Sequence, residues 1–235
     1  MSTTLNFLCA GAAQGLVKAL QDRFTAATGA TLQGRFGAVG AMKEALLSGE
    51  PCDVMIVTGA MIDALCADGM LQAATRQPLG RVLTGVAVRA GMALPDVSSA
   101  AGLKAALLGA DSLYFPDPLR ATAGIHFANV MRQLGIYDQL EARFRTHPAG
   151  AIAMRELAAS TSAHAIGCTQ VTEINYTPGV QLAGALPHEF ELATVYTAAV
   201  STRSAQAALA AQFIALIGGS ESLALRQAGG FVGLE

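Results

Sequence analysis

The chain has 235 residues, of which 52% are hydrophobic and only 14% charged. That is ample apolar material for a folded core and excludes a disordered chain. The 15 Lys and Arg against 17 Asp and Glu leave a formal charge of −2, and with no Trp there is neither a basic track nor an aromatic platform for nucleic acid.

A mean hydropathy of +0.43 comes mainly from alanines spread along the chain. Gly, Gln, Arg, Asp or Ser interrupt every apolar run well short of the ~18 residues that cross a bilayer, so membrane insertion is not expected. Thr4 leads directly into the apolar run Leu5 to Ala13, with no basic segment before it. This reads as a buried strand in a cytoplasmic chain, or in a periplasmic one whose leader has been removed. Cys9, Cys52, Cys66 and Cys168 lie far apart, and the four His are scattered. No metal site, disulfide framework or cofactor is expected from that spacing.

Strand-like and helix-like segments alternate from the start. Leu5 to Ala10 is a short apolar run ending at Gly11. Gln14 to Ala27 follows with Leu16, Leu20 and Phe24 on one helical face, and Gly29 is its expected stop. Ala30 to Phe36 reads as a strand, Gly40 to Ser48 as a helix, Asp53 to Thr58 as a strand and Met61 to Ala67 as a short helix. A second block starts near Val82 with the strand Gly85 to Arg89, then the helix Gly102 to Leu108 and the strand Asp111 to Phe115. Thr122, as N-cap, opens a long helix ended by Gly135. Ile152 to Ala159 is helical, Ala163 to Thr169 is a strand, and Val171 to Asn175 continues it. Val180 to Leu186 and Glu191 to Ser201 are extended, and helices over Ala205 to Ile217 and Ser220 to Ala228 close the chain.

This order implies an α/β protein of two lobes, each a mostly parallel sheet flanked by helices. The boundaries expected are 1–82 plus 195–235 for one lobe and 83–194 for the other, with a ligand in the cleft between them.

Three turns place small residues between a strand and a helix: Cys9 to Ala13, Phe36 to Gly40 and Arg120 to Gly124. Unpaired amides and the helix dipole favour an anion at such turns. None is a P-loop, no G-x-G-x-x-G follows the first strand, and there is no G-x-S-x-G. A small anionic ligand is therefore the expected partner.

Taken together, LNFLCAGAAQGLVKAL, RFGAVGAMKEAL, SGEPCDVMIVTG, PDPLRATAGIHFANVMRQLGI, AIGCTQVTEI and PGVQLAGALP carry a resemblance across nearly the whole chain. The chain resembles the molybdate-binding protein family, the type-2 periplasmic solute-binding proteins of ABC transporters. The resemblance implies their two-lobed fold, a ligand held between hinged lobes, and an ABC permease as partner. It also implies serine hydroxyls in the first two turns and a tyrosine hydroxyl from the second lobe. The matching positions here are Ala12, Val39 and Gln170. This divergence favours an organic carboxylate over molybdate, because a desolvated dianion needs more donors.

The ligand-binding candidates are Gly11, Ala12, Ala38, Val39, Arg120, Thr122, Ala123, Gly124, Thr169 and Gln170. Backbone amides serve at the alanines and Val39, and Arg120 offers a bidentate clamp. An aconitate Δ-isomerase is known on the same scaffold, so the resemblance also allows an enzyme that shifts an allylic proton. His126, Cys9 and Glu173 are then the candidate proton carriers.

Overall fold

The computed structural model describes residues 3–233. Met1 and Ser2, which precede the apolar run read as a buried strand, lie outside the described residues. The chain forms two compact units, one running to Val82 and resuming at Thr194, the other spanning Leu83–Ala193.

In chain order, β1 (Thr4–Ala10) passes through a 3-10 turn (Gly11–Ala13) into α1 (Gln14–Thr28), followed by β2 (Thr31–Gly37), α2 (Val39–Leu47), β3 (Val54–Thr58) and α3 (Gly59–Ala67). The long strand β4 (Gln77–Arg89) carries the chain into the second unit. There follow α4 (Ala100–Gly109), β5 (Ser112–Pro116), α5 (Thr122–Gln133), α6 (Tyr137–Leu140), β6 (Phe144–His147), α7 (Gly150–Ala159), β7 (Ala165–Gln170), α8 (Val171–Tyr176) and β8 (Val180–Ala185). The return strand β9 (Ala193–Val200) leads to α9 (Ala207–Gly218), α10 (Leu223–Gly229) and β10 (Phe231–Val232).

In the first unit β1 lies between β2 and β3, parallel to both, and β9 pairs antiparallel with β3. Cys9 and every residue of Val54–Val57 are fully buried, as expected of strands covered on both faces. Phe24 of α1 meets Phe213 of α9 edge-on at 5.1 Å, fixing the two helices that cover one face. Gly29 ends α1 at φ +70°, and its N–H reaches the Thr25 carbonyl at 2.8 Å. Asp53 accepts from the Asn6 amide N–H at 2.8 Å and from the Ser204 hydroxyl at 2.5 Å, which ties the start of β3 to β1 and the loop before α9.

In the second unit β4 pairs antiparallel with β7 and with β8, while β5 runs parallel to β7 and β6. Side chains alternate across this sheet. Val86, Val88, Leu113, Phe115, Ile166 and Cys168 share a core with Phe127, Val130 and Met131 of α5. Ala87 and Ala165 face the opposite way, into a core with Ala153, Met154 and Leu157 of α7. One sheet face thus belongs to α5 and the other to α7.

The structure differs from the sequence reading at three places that bear on the site. Val171 to Asn175, read as continuing the strand before it, is helix α8, and its apolar pair Val171 and Ile174 is buried. Packing overrides the weak strand propensity. The strand β6 has no counterpart in the sequence reading because FRTH shows no apolar alternation; Phe144 packs against Phe115 and His147 stacks on Tyr114. Thr122 is the first helical residue of α5 rather than its N-cap, which is Ala121. No single helix among the described residues is long and apolar enough to cross a membrane. The pair Ala207–Gly218 and Ser220–Gly229 passes that test only together, with a 48° bend, and Phe213, Ile214 and Ile217 of α9 are buried in the first core.

Candidate functional site

The parallel strands of each unit end at an edge where helices begin, the usual ligand edge of α/β sheets. In the first unit the register pairs Ala10 with Gly37, so the turns after β1 and β2 start side by side. The 3-10 turn begins at Gly11, with Ala12 and Ala13 buried behind it and no side-chain cap. The cap residue of α2, Ala38, is extended at φ −65° and ψ 149°, again with no side-chain bond to the helix start. The neighbouring α3 is different, because the Thr58 hydroxyl accepts from the Met61 N–H at 3.3 Å. Two of the three βα turns therefore present main-chain donors with no capping side chain. They are the turns holding Gly11, Ala12, Ala38 and Val39. Cys9 lies behind them, fully buried, with its thiol donating to the Ala10 carbonyl at 3.2 Å. Burial pushes that thiol well above its ordinary pKa, so it stays protonated.

In the second unit, β5 ends at Pro116 and a turn leads to α5. Asp117 shapes this turn by accepting from the Leu119 N–H at 2.7 Å. Arg120 is exposed in it, and Thr122 opens the helix. The cap residue Ala121 has no side-chain bond to offer, so the α5 start is as open as those of the first unit. Gly124 is required there. A Cβ would stand 2.2 Å from the Pro116 carbonyl oxygen and 2.4 Å from that of Asp117. The His126 Nε2 lies 2.7 Å from the Phe190 carbonyl, which can only accept, so Nε2 carries the proton.

At the end of β7 two consecutive residues point to opposite faces. Thr169 donates its hydroxyl to Glu173 at 2.5 Å. The Glu173 carboxylate also accepts from the main-chain N–H groups of Ala151, in the first turn of α7, and of Gln170. It is fully buried. Desolvation holds it above the ordinary carboxylate range, and the three donors only partly offset that. Gln170, on the α5 face, is 3% exposed, and neither atom of its carboxamide has a partner.

The second unit therefore brings Gln170 and the start of α5, with Thr122, Ala123 and Gly124, to one face and edge of its sheet. Thr169 and Glu173 stand together on the other face. Two residues went unnoticed in the sequence. Thr84 is opposite Gln170 in the β4–β7 register, 1% exposed, and its hydroxyl has no partner. Thr172 is 2% exposed with an unpartnered hydroxyl. A threonine beside a valine-rich strand carries no sequence signal; only the register reveals it.

Comparison with known proteins places this geometry. The sequence profile of the family described as bacterial extracellular solute-binding protein matches residues 5–232. An aconitate isomerase of Pseudomonas sp. is 28% identical over 211 residues, 86% of this chain and 77% of that protein. The periplasmic molybdate-binding protein of Azotobacter vinelandii superposes with a TM-score of 0.79 at 20% identity, over 98% of this chain and 100% of its own. The sulfate-binding protein SubI of Mycobacterium tuberculosis H37Rv gives 0.73 at 17% identity, over 99% of this chain and 88% of its own. The fold is that of these two binding proteins, and the role, by the matching family, is solute binding. With the profile covering nearly every residue, the chain belongs to the bacterial extracellular solute-binding protein family.

Proposed function

We propose that the solute is a small organic acid, a hydroxy- or polycarboxylate, rather than a bare tetrahedral oxyanion such as molybdate. The observation that carries this reading is Gln170, a buried carboxamide with neither atom paired, on the sheet face where α5 begins uncapped. A carboxamide offers two donors and one acceptor. Molybdate or sulfate accepts from the N–H groups but has no proton for the carbonyl oxygen, which would then be buried against negative charge at a cost of about 1–3 kcal/mol. An acid with a hydroxyl or a protonated carboxyl satisfies both ends. In this reading main-chain amides at uncapped helix starts suit its ionised carboxylate: in the second unit those of Ala123 and Gly124, with Arg120 and Thr122 in the same turn, while in the first unit those of Gly11, Ala12 and Val39, with Ala38, offer the same chemistry. The protein then works outside the cytoplasm and passes its ligand to an ABC-type permease.

Thermal shift against molybdate, tungstate, sulfate, citrate and both aconitates tests the reading. At a hundredfold excess over Kd a genuine ligand adds about 2.7 kcal/mol, which is a shift of several degrees. That shift is expected with one or more of the organic acids and is lost in Gln170→Leu. A shift with molybdate alone would overturn the proposal.

A second reading, an isomerase of an unsaturated polycarboxylate, is favoured by the Pseudomonas relative. The reaction removes a proton from the carbon next to the double bond, moves that bond along one position and returns a proton to its far end. Of the three candidate carriers, His126 has the best standing. It belongs to α5, and with Nε2 protonated its Nδ1 is the basic atom. Cys9 is buried as a thiol, and Glu173 is committed to three donors on the other face. Proton NMR of trans-aconitate in D₂O, with the wild type and His126→Gln, decides this. Exchange that the variant loses supports the enzyme, and absence of both exchange and isomerisation removes it.

A further inference from the structure

The β4–β7 ladder changes character at its last pair. Val88 faces Ile166 and Val86 faces Cys168, all in the core beneath α5, and then Thr84 faces Gln170. Directly opposed residues in an antiparallel pair share a face. Both main-chain groups of Thr84 are used elsewhere, its N–H on the Leu192 carbonyl at 3.1 Å and its carbonyl by the Leu186 N–H at 3.0 Å. Thr84 and Gln170 are therefore a non-hydrogen-bonded pair, the close kind, with Cα atoms about 4.5 Å apart. At that spacing a hydroxyl and a carboxamide would ordinarily bond to each other, yet three buried polar atoms, Thr84 Oγ1 and both ends of the Gln170 amide, stand unpaired side by side. Buried groups left in this way gain most from a ligand that supplies the missing partners.

We propose that Thr84 is a ligand-reading residue, and that its hydroxyl with the Gln170 carboxamide forms a two-residue clamp for a second, uncharged oxygen-bearing arm of the ligand. This rests on the reading of the solute as an organic acid and sharpens it. The main-chain amides at the start of α5 suit an ionised carboxylate. The clamp combines donors and acceptors and so suits a hydroxyl or a protonated carboxyl. The ligand class is then an acid with at least two oxygen-bearing groups, and a simple monocarboxylate fills only part of the site.

The test compares the wild type, Thr84→Val and Thr84→Ser by calorimetric titration with citrate, trans-aconitate and acetate, together with the melting temperature of each protein without ligand. Valine matches threonine in shape and suits a strand, so Thr84→Val folds. Its unliganded melting temperature stays level or rises, because an orphaned hydroxyl has been removed. Its affinity for whichever of the two tricarboxylates the wild type binds falls roughly tenfold, the loss of about one hydrogen bond, and Thr84→Ser restores it. Acetate binding is equal in all three. A threonine with a purely structural role would give the reverse pattern, a lower unliganded melting temperature and unchanged affinity, and that result overturns the clamp. Failure of the wild type to bind either polycarboxylate overturns the organic-acid reading itself, and the two failures are told apart by the wild-type arm.

Discussion

At the start of α7 the chain supplies its own anion. Gly150 leaves a hollow, Glu173 fills it with a carboxylate, and the Thr169 hydroxyl and the amides of Ala151 and Gln170 complete the shell. At the start of α5, on the other face of the same sheet, the cap residue is Ala121, no side chain closes the first turn, and two side chains at the neighbouring strand end have unpaired polar atoms. Both helices begin after parallel strands and both have a glycine in the first turn. The glycines differ in what they admit. A Cβ at Gly124 would meet main-chain oxygens of Pro116 and Asp117, so that glycine allows the helix to close on its own turn. A Cβ at Gly150 would lie 2.0 Å from both Glu173 Oε2 and Thr169 Oγ1, so that glycine admits a side chain. Two helix starts of similar design on one sheet are thus distinguished: the chain's own carboxylate fills the first turn of α7, and no side chain caps that of α5.

The largest effect is expected from Gly124→Ala. Its obstacles are main-chain atoms that cannot rotate away, so α5 must move as a whole. A loss of about 4 kcal/mol or a failure to fold is expected, measured by urea denaturation. Gly150→Ala is expected to cost less, about 2–3 kcal/mol, because the obstructing carboxylate can swing out at the cost of its hydrogen bonds. A double-mutant cycle separates the two cases. With Glu173→Ala also in place, Gly150→Ala should cost less than it does alone, the remaining obstacle being the Thr169 hydroxyl, 2.0 Å from the added Cβ. Full additivity would mean that Gly150 does not serve Glu173, and the contrast between the helices would fall.

Titration supplies a milder test. The Glu173 carboxyl is held above its ordinary pKa by burial, so the folded chain binds its proton more tightly than the unfolded chain does. Stability then falls as pH rises from the ordinary carboxylate range through the raised value, and is level beyond it. In Glu173→Gln the carbonyl still accepts from main-chain amides, and the new NH₂ can donate to Thr169 Oγ1. That variant should lose about 1 kcal/mol at low pH and show a flatter profile between pH 4 and 8, followed by denaturant midpoints. A profile as steep as that of the wild type would assign the slope to another group.

Much of the alternation was legible in the residues because it rests on local rules. DVMIVT can only be a buried strand, and Gly29 marks the end of α1 as plainly in the sequence as in its positive φ. The small-residue turns were legible for the same reason, since small residues between a strand and a helix need no tertiary context. What escaped notice depends on pairing. Val171 to Asn175 has β-branched residues and folds as a helix because Val171 and Ile174 have a core to reach. Glu173 shows as an isolated acid, and its role becomes visible only when Gly150, 23 positions earlier, is set against it. Thr84 is silent until β4 and β7 are put in register. Local chemistry thus marked three turns of small residues that no side chain caps, and long-range pairing revealed a fourth helix start, that of α7, which the chain's own carboxylate fills.

The smallest effect probes the open helix directly. Ala121→Ser gives α5 the capping hydroxyl it lacks, which accepts from an amide of the first turn. Serine adds only one oxygen at a buried position, so little repacking is needed. The unliganded protein should gain about 0.5–1 kcal/mol in denaturant unfolding. Its affinity for an organic acid should fall severalfold, since the same donors are now claimed from within. The two changes must have opposite signs if the α5 start is a ligand site left open. Added stability with no loss of binding would show that the amides of α5 are spare, and the solute would then have to be sought at the uncapped turns after β1 and β2.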